Sequence, residues 1–211
     1  MKTLLTAKDF QAIILKLAND ICLNCDELTN LDSAIGDGDL GMTLTIGFKE
    51  VTRELSNNEI HSISKVLVTS ADVFEEKAAS TFGTLLTTMF RAAGKTAEPF
   101  DKAGTSEVAQ MLTSAMMSVQ KRGKAQLGDK TLLDALIPAI KVFEQAAVQG
   151  ISLVQATRNA VEAAEGGAEA TISMKARTGR SGYLGNRTIG HKDPGAAAIV
   201  MILRSFQEYL E

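Results

Sequence analysis

The chain has 211 residues, which is enough for one domain, or two small ones, with a sizeable apolar core. Its formal net charge of −3 provides no basic surplus for binding nucleic acid or an anionic membrane. No apolar run approaches the roughly 20 residues of a membrane span, and no signal-peptide pattern begins the chain. We therefore expect a cytoplasmic protein with no nucleic-acid or membrane partner.

Helical periodicity begins near the N-terminus. Apolar residues spaced by three, four and seven positions predict a first helix over about residues 6 to 28, with Thr6 as its N-cap. The acidic stretch 31–41 follows as a loop. A second helix is predicted from about 41 to 55, and a third after it, with Asn58 as N-cap.

The same periodicity continues to the C-terminus. A fourth helix is predicted to begin near residues 75–81, and Thr105 or Ser106 is predicted to cap a fifth. Asp129 is predicted to cap a sixth helix, and a seventh ends at about Glu169. An eighth helix is predicted last, with Asp193 as its N-cap and Pro194 as its first residue.

These elements predict an all-α protein, an eight-helix antiparallel up-and-down barrel or bundle. In such a bundle alternate connections lie at the same end. The acidic loop therefore shares one end with segment 79–83, segment 123–129 and the long connection 171–192. Because aspartate, glycine and arginine concentrate in these four connections, we expect the functional site at that end.

The acidic loop carries Asp32, Asp37 and Asp39 among three glycines. Carboxylates avoid an apolar core, and glycine allows the tight turns that bring them together. Three hard oxygen ligands suit Mg²⁺ or Ca²⁺ rather than zinc. The alternative is a polar turn with solvated aspartates, which the loop by itself does not exclude.

The long connection carries Arg177, Arg180 and Arg187 among several glycines, a composition that suits phosphate binding. A solvated basic loop is the alternative. The start of the fourth helix, at 80–84, and that of the second, at 40–43, would add main-chain N–H donors for an anion. Facing the three aspartates, this set suggests Mg²⁺ plus a polyphosphate.

Other chemistries find little support. The sequence has neither a Walker phosphate-binding loop nor a strand followed by a dinucleotide fingerprint. His61 is predicted to lie in the third helix as a surface or packing residue, and His191 could contact phosphate or serve structure. Cys22 and Cys25, without a second Cys/His pair, are interpreted as structural thiols.

Three motifs carry a resemblance that extends over essentially the whole chain. They are IGDGDLG at 35–41, RGKAQLGDKT at 122–131 and ARTGRSGYLGNRTIGHKDPG at 176–195. With the eight-helix length, they resemble the ADP-binding L subunit of bacterial dihydroxyacetone kinases. The resemblance implies that residues 1–211 form a single nucleotide-binding kinase domain, an eight-helix antiparallel barrel with the nucleotide at one end.

The resemblance also implies a set of site residues. Two Mg²⁺ ions would be held by Asp32, Asp37 and Asp39, and Arg180 would stabilise the charge that develops during transfer. ADP or ATP would be bound by Leu40, Gly41, Met42, Thr43, Ala79, Ser80, Thr81, Gly123, Leu132, Arg180, Asp193, Pro194 and Gly195.

Several partners follow from the same resemblance. A separate K subunit would hold the ketose through a histidine, and the L subunit would deliver the phosphoryl group. An M subunit of the phosphotransferase system would rephosphorylate bound ADP, a transcriptional regulator is a further expected partner, and a homodimer is left open.

Two departures from the family pattern lie in the nucleotide pocket. Leu40 stands where the family usually has histidine, and residues 77–83 differ from its glycine-rich third loop. They leave open an ATP-using subunit for another small ketose, such as a four-carbon one. A non-catalytic nucleotide-binding regulator and a helical interaction module are the remaining alternatives.

Overall fold

The computed structural model describes residues 2–78 and 80–211, and in this part of the chain it is all-α, as predicted. It forms helices at Ala7–Leu23 (α1), Cys25–Ile35 (α2), Leu40–Asn57 (α3), Ile63–Lys77 (α4), Thr81–Thr96 (α5), Thr105–Gly123 (α6), Leu133–Val148 (α7), Leu153–Ala170 (α8) and Pro194–Leu210 (α9). Two short 3₁₀ segments, Thr171–Ser173 and Arg180–Thr188, lie between α8 and α9.

The helices close into a ring. From α3 onward each helix packs against the next, and α9 packs back against α1 and α2. Because α1 and α2 follow one another and both pack against α3 and α9, together they fill one of the eight predicted positions. The nine helices described therefore form the expected barrel, with one position divided in two.

The division falls at Asn24, inside the predicted first helix. The side-chain amide and the main-chain N–H of Asn24 both donate to the carbonyl of Asp20, at 2.8 and 3.1 Å, which ends α1. Helix α2 then continues to Ile35, because Leu28 and Ile35 are both buried in the core. The predicted loop at 31–41 was thus too long: Asp32 lies in the last turn of α2, and only residues 36–39 connect the helices.

Three predicted N-cap residues are wrong. Helix α4 begins after Ser62, whose hydroxyl accepts the N–H of Lys65 at 3.4 Å. Helix α6 begins after Gly104, whose N–H donates to Glu107 at 2.8 Å, and α7 begins after Leu132. The residues expected at these places were Asn58, Thr105 or Ser106, and Asp129.

The expected caps fail because their side chains bond elsewhere. The Asn58 amide donates to the carbonyl of Glu54, at the end of α3, and the Asp129 carboxylate accepts the N–H of Gln126. By contrast, Thr6 caps α1, and Asp193 caps α9 with Pro194 at its first position, as predicted. His61 was expected in a helix, but it precedes α4 and is exposed.

The barrel encloses one core of aliphatic and phenylalanine side chains. The ring of Phe48 meets the rings of Phe74 and Phe90 edge to face, with centroids 5.3 and 6.4 Å away. A Cβ at Gly47 would lie 2.3 Å from the Phe74 ring, so glycine is what lets α3 and α4 approach. None of the helices described has the length and apolarity needed to cross a bilayer.

Candidate functional site

Four connections line one cavity at a single end of the barrel, as the alternation of helix directions predicts. It has a volume of about 150 Å³ and is bordered by the α2–α3, α4–α5, α6–α7 and α8–α9 connections. A second cavity of about 310 Å³ adjoins it and shares several of its walls, among them Thr81, Leu85 and Leu132. The second cavity has mainly apolar additional walls, such as Val119 and Ala125.

Three carboxylates converge on the first cavity. Oxygens of Asp32, Asp37 and Asp39 lie within 4.8 Å of one another, and Asp32 also accepts the N–H of Leu40 at 3.2 Å. Ligand oxygens around one Mg²⁺ or Ca²⁺ ion are about 3 to 5 Å apart, so the donor set fits a hard divalent cation.

Glycines make this convergence sterically feasible. A Cβ at Gly36 would lie 2.2 Å from a carboxylate oxygen of Asp32. Gly38 has a φ of +75°, a conformation that side chains rarely adopt, and a Cβ there would lie 2.4 Å from the Ser33 hydroxyl. The spacing of glycines in the sequence therefore reflects where the chain must turn around the carboxylates.

Arg180, in the long connection between α8 and α9, contacts the acidic cluster. Its guanidinium pairs with Asp37 and lies 3.4 Å from Asp39. The neighbouring hydroxyl of Ser181 donates to the carbonyl of Ile35 at 2.7 Å. Residues more than 140 positions apart in the sequence thus meet at one place, with cationic and anionic groups in contact across the cavity.

Near the acidic cluster lie charged residues that are almost fully buried. Asp193 accepts the N–H of Ala196 at 2.7 Å as the cap of α9. The pKa of Asp193 is raised to about 7, chiefly by burial; the Ala196 N–H and the charge of Lys130 lower it, and the charge of Asp134 raises it. Burial lowers the pKa of Lys130, and the charge of Asp193 opposes that shift.

The structure brings together most of the predicted nucleotide-binding residues. Those that line the first cavity are Leu40, Ser80, Thr81, Leu132, Arg180, Asp193, Pro194 and Gly195. Gly123 lines the adjoining cavity. Ala79 lies outside the described residues.

Three predicted residues are not in the walls of either cavity: Gly41, Met42 and Thr43. Gly41 faces α2, where a Cβ would lie 2.1 Å from the carbonyl oxygen of Cys25. The Met42 side chain is exposed, and the N–H of Thr43 donates to the carbonyl of Asp39 within the helix. Their N-terminal place in α3 is as expected, but Leu40 alone among these four faces the cavity.

The cavity also has walls that sequence reasoning did not select. Phe82 and Leu85 have the spacing of an ordinary core stripe, so nothing local marks them as lining a site. Lys130 and Thr131 lie in the quoted motif at 122–131, which was a usable signal. His191 is exposed, and the hydrogen bonds that it makes here are those of its main chain: its carbonyl accepts from Lys130 and its N–H donates to the carbonyl of Thr188.

Comparison with known proteins identifies the family of this chain. Residues 34–208, most of the chain, match the DAK2 domain. The chain belongs to the DAK2 domain family. It is 34% identical over 177 residues, 84% of each chain, to the Escherichia coli (strain K12) PEP-dependent dihydroxyacetone kinase, ADP-binding subunit DhaL.

A second relative and a solved structure extend the comparison. The DhaL subunit of PEP-dependent dihydroxyacetone kinase 2 from Listeria innocua is 35% identical over 190 residues, 88% of this chain and 87% of its own. The dihydroxyacetone kinase from C. freundii, solved with AMP-PNP and Mg²⁺, matches 94% of this chain and 33% of its own length. With a TM-score of 0.73 at 24% identity, it shows the shared fold.

Proposed function

We propose that this chain is the nucleotide-binding subunit of a kinase for dihydroxyacetone or a similar small ketose. The observation that carries the proposal is the convergence of three carboxylates, Arg180 and the start of α5 on one cavity. DAK2 membership and the ADP-binding subunits among the relatives support it. Residues 1–211 then act as one nucleotide-binding kinase domain.

The two adjoining cavities suggest how a nucleotide is oriented. The polyphosphate tail belongs at the acidic cavity, where Ser80 caps α5 and the N-terminal turn of the helix would favour an anion. The base belongs in the adjoining cavity between Leu85, Leu132 and Gly123. A Cβ at Gly123 would contact only Leu85, at 3.8 Å, so glycine leaves this wall open rather than relieving a clash.

The carboxylates of Asp32, Asp37 and Asp39 would hold Mg²⁺. We propose two ions, as in the family that the sequence resembles. When bound there, Mg²⁺ supplies charge neutralisation for the phosphate oxygens. Arg180 adds a planar donor that pairs with phosphate oxygens and stabilises negative charge as the phosphoryl group leaves. The main-chain N–H of Leu40 holds Asp32 in place for this task.

We propose that the phosphoryl acceptor comes from outside the chain. The described walls of the acidic cavity include no histidine or glutamate to accept a proton from a ketose hydroxyl; of their four aspartates, three form the proposed metal site and Asp193 caps α9. We therefore propose that a K subunit supplies the ketose. In the phosphotransferase-dependent mode an M subunit recharges bound ADP, and a transcriptional regulator is a further proposed partner.

Native mass spectrometry of freshly purified protein tests the binding step. We expect ADP to be retained in the presence of Mg²⁺ and released by a chelator, which would support the phosphotransferase-dependent mode. An empty protein that binds Mg–ATP would support direct use of ATP. Failure to bind either Mg–ADP or Mg–ATP in titration calorimetry would refute the proposal.

Reconstitution tests the transfer step. The chain is mixed with a K subunit, a phosphoryl donor and either dihydroxyacetone or a four-carbon ketose, and the ketose phosphate is measured. We expect product only when both subunits are present. Nucleotide binding without any product would instead favour a non-catalytic regulator.

A further inference from the structure

Lys130 is a buried cation beside the acidic cluster. Its side chain is 1% exposed, although an uncompensated charge in such a place is costly. The ammonium group donates to the carbonyls of Thr171 and Thr188, each at 2.7 Å, and to the carbonyl of His191. All three donors of the ammonium are therefore used on main-chain acceptors.

The three carbonyls belong to the two ends of one connection. Thr171 follows directly on α8, whereas Thr188 and His191 lie just before α9. Further bonds join the same ends: the N–H of Asp193 donates to the Thr171 hydroxyl, and the N–H of Ala176 donates to the Thr188 hydroxyl, both at 2.9 Å. Lys130 thus closes the connection at its base.

The backbone around Lys130 is built to aim this side chain. Lys130 has a φ of +61°, a strained conformation for a residue with a Cβ. The buried carboxylate of Asp134 accepts the N–H groups of Gly128 and Thr131, at 2.6 and 2.7 Å, on either side of it. Such strain persists only where its surroundings enforce it, and it is characteristic of functional sites.

We propose that Lys130 is a positioning residue for Arg180. By fixing both ends of the connection at 171–193, it determines where the intervening segment lies, and so where Arg180 meets the acidic cluster. The anchoring itself follows from the contacts of Lys130. The consequence for nucleotide binding rests on the function proposed above.

The test compares Lys130→Met, which keeps the side-chain length but leaves three carbonyls without their donor, with Lys192→Met. Lys192 belongs to the same connection but pairs at the surface with Glu169, at 2.8 Å, so it serves as the matched control. Two quantities are measured well below the melting temperature: the rate of tryptic cleavage at Arg177, Arg180 and Arg187, and the Kd for Mg–ADP.

For Lys130→Met we expect cleavage to accelerate by at least about tenfold and the Kd to rise by at least about tenfold, with little change for Lys192→Met. Lys130→Arg, which restores a cationic donor, should recover part of both effects. If Lys130→Met does not fold, Lys130→Gln replaces it with the same expectations.

Two results would overturn the inference. Cleavage at the wild-type rate would show that Lys130 does not anchor the connection. Faster cleavage with an unchanged Kd would show an anchor that does not position Arg180 for the nucleotide. If the unaltered protein fails to bind Mg–ADP or Mg–ATP, the proposed function fails, while the cleavage rates still decide the anchoring.

Discussion

The connections between helices differ at the two ends of the barrel. At the end opposite the site, connections are closed by caps such as Ser62, Ser152 and the Thr6–Asp9 pair. Leu5 and Ala103 add two main-chain hydrogen bonds of 2.8 Å. These contacts satisfy the helix termini locally and cost little strain.

The site end carries the unfavourable features. Of the eight described residues with positive φ, seven lie in its connections, including Lys124 and Lys130, and only Gly150 lies at the other end. Three carboxylates converge there, and Lys130, Asp134 and Asp193 are buried nearby. Strain and buried charge therefore accumulate at the end that carries the proposed nucleotide site, whereas connections at the opposite end close with local hydrogen bonds.

The largest effect of a substitution on the difference between the two ends is expected at the acidic cluster. Asp37→Asn should weaken binding of Mg–ADP by about two orders of magnitude, because a neutral amide is a poorer ligand for a hard cation. Helicity should not change, since Asp37 lies in a connection. Titration calorimetry and circular dichroism measure the two effects. The exposed residue Asp101 at the opposite end provides the control: Asp101→Asn with an equal loss would contradict the division between the ends.

The next largest effect concerns the close approach of α7 and α8 near the site. A Cβ at Gly167 would lie 2.0 Å from the carbonyl oxygen of Asp134, a main-chain atom. Gly167→Ala should therefore lower the free energy of unfolding by about 2 to 3 kcal/mol, as measured in urea.

Its neighbour provides the control. Gly166 also lies in α8, but a Cβ there would have no neighbour within 4 Å. Gly166→Ala should raise the free energy of unfolding by about 0.5 to 1 kcal/mol, because alanine favours the helix. Equal effects at the two positions would show that α7 and α8 can move apart without a cost in the free energy of unfolding.

A third prediction concerns pH. The folded-state pKa of Asp193, about 7, exceeds the ordinary value of the unfolded chain, so the folded state binds more protons between these values. The contribution of Asp193 to stability is then complete below about pH 4 and lost as the pH rises through 7, by on the order of 4 kcal/mol. Asp193→Asn, which can still cap α9, should remove that part of the pH dependence. Urea unfolding at pH 5 and pH 8 measures it, and an identical slope in both proteins would disprove the assignment.

The smallest effect is expected at the opposite end. Burial alone would raise the pKa of Asp9, but hydrogen bonds from Lys2, Thr6 and Tyr209 outweigh it and hold the pKa below its ordinary value. The stabilisation is therefore present above about pH 4 and lost as the pH falls. Asp9→Asn should cost about 1 kcal/mol at neutral pH and leave the Kd for Mg–ADP unchanged. A weaker Kd would show that the two ends are coupled.

Some of these features could be predicted from the sequence alone. Helical periodicity was sufficient for the all-α class, and it placed four connections at one end, because both follow from short-range spacing and alternating direction. Thr6 and Asp193 were identified as caps because the capping contact spans only three residues. Three aspartates close in sequence could be expected to converge, since few conformations of so short a segment separate them.

The remaining features depend on how the helices close into a ring. Asp32 lies on a helix rather than in a loop because Leu28 and Ile35 are buried between distant helices, a contact that no local pattern reveals. Lys130 binds carbonyls 41 to 61 residues further along the chain, and Phe82 and Leu85 become cavity walls only when α5 meets the other connections. The sequence thus determined which chemical groups this end would carry. The tertiary structure determined which of them meet, because contacts between distant segments depend on how the whole barrel packs.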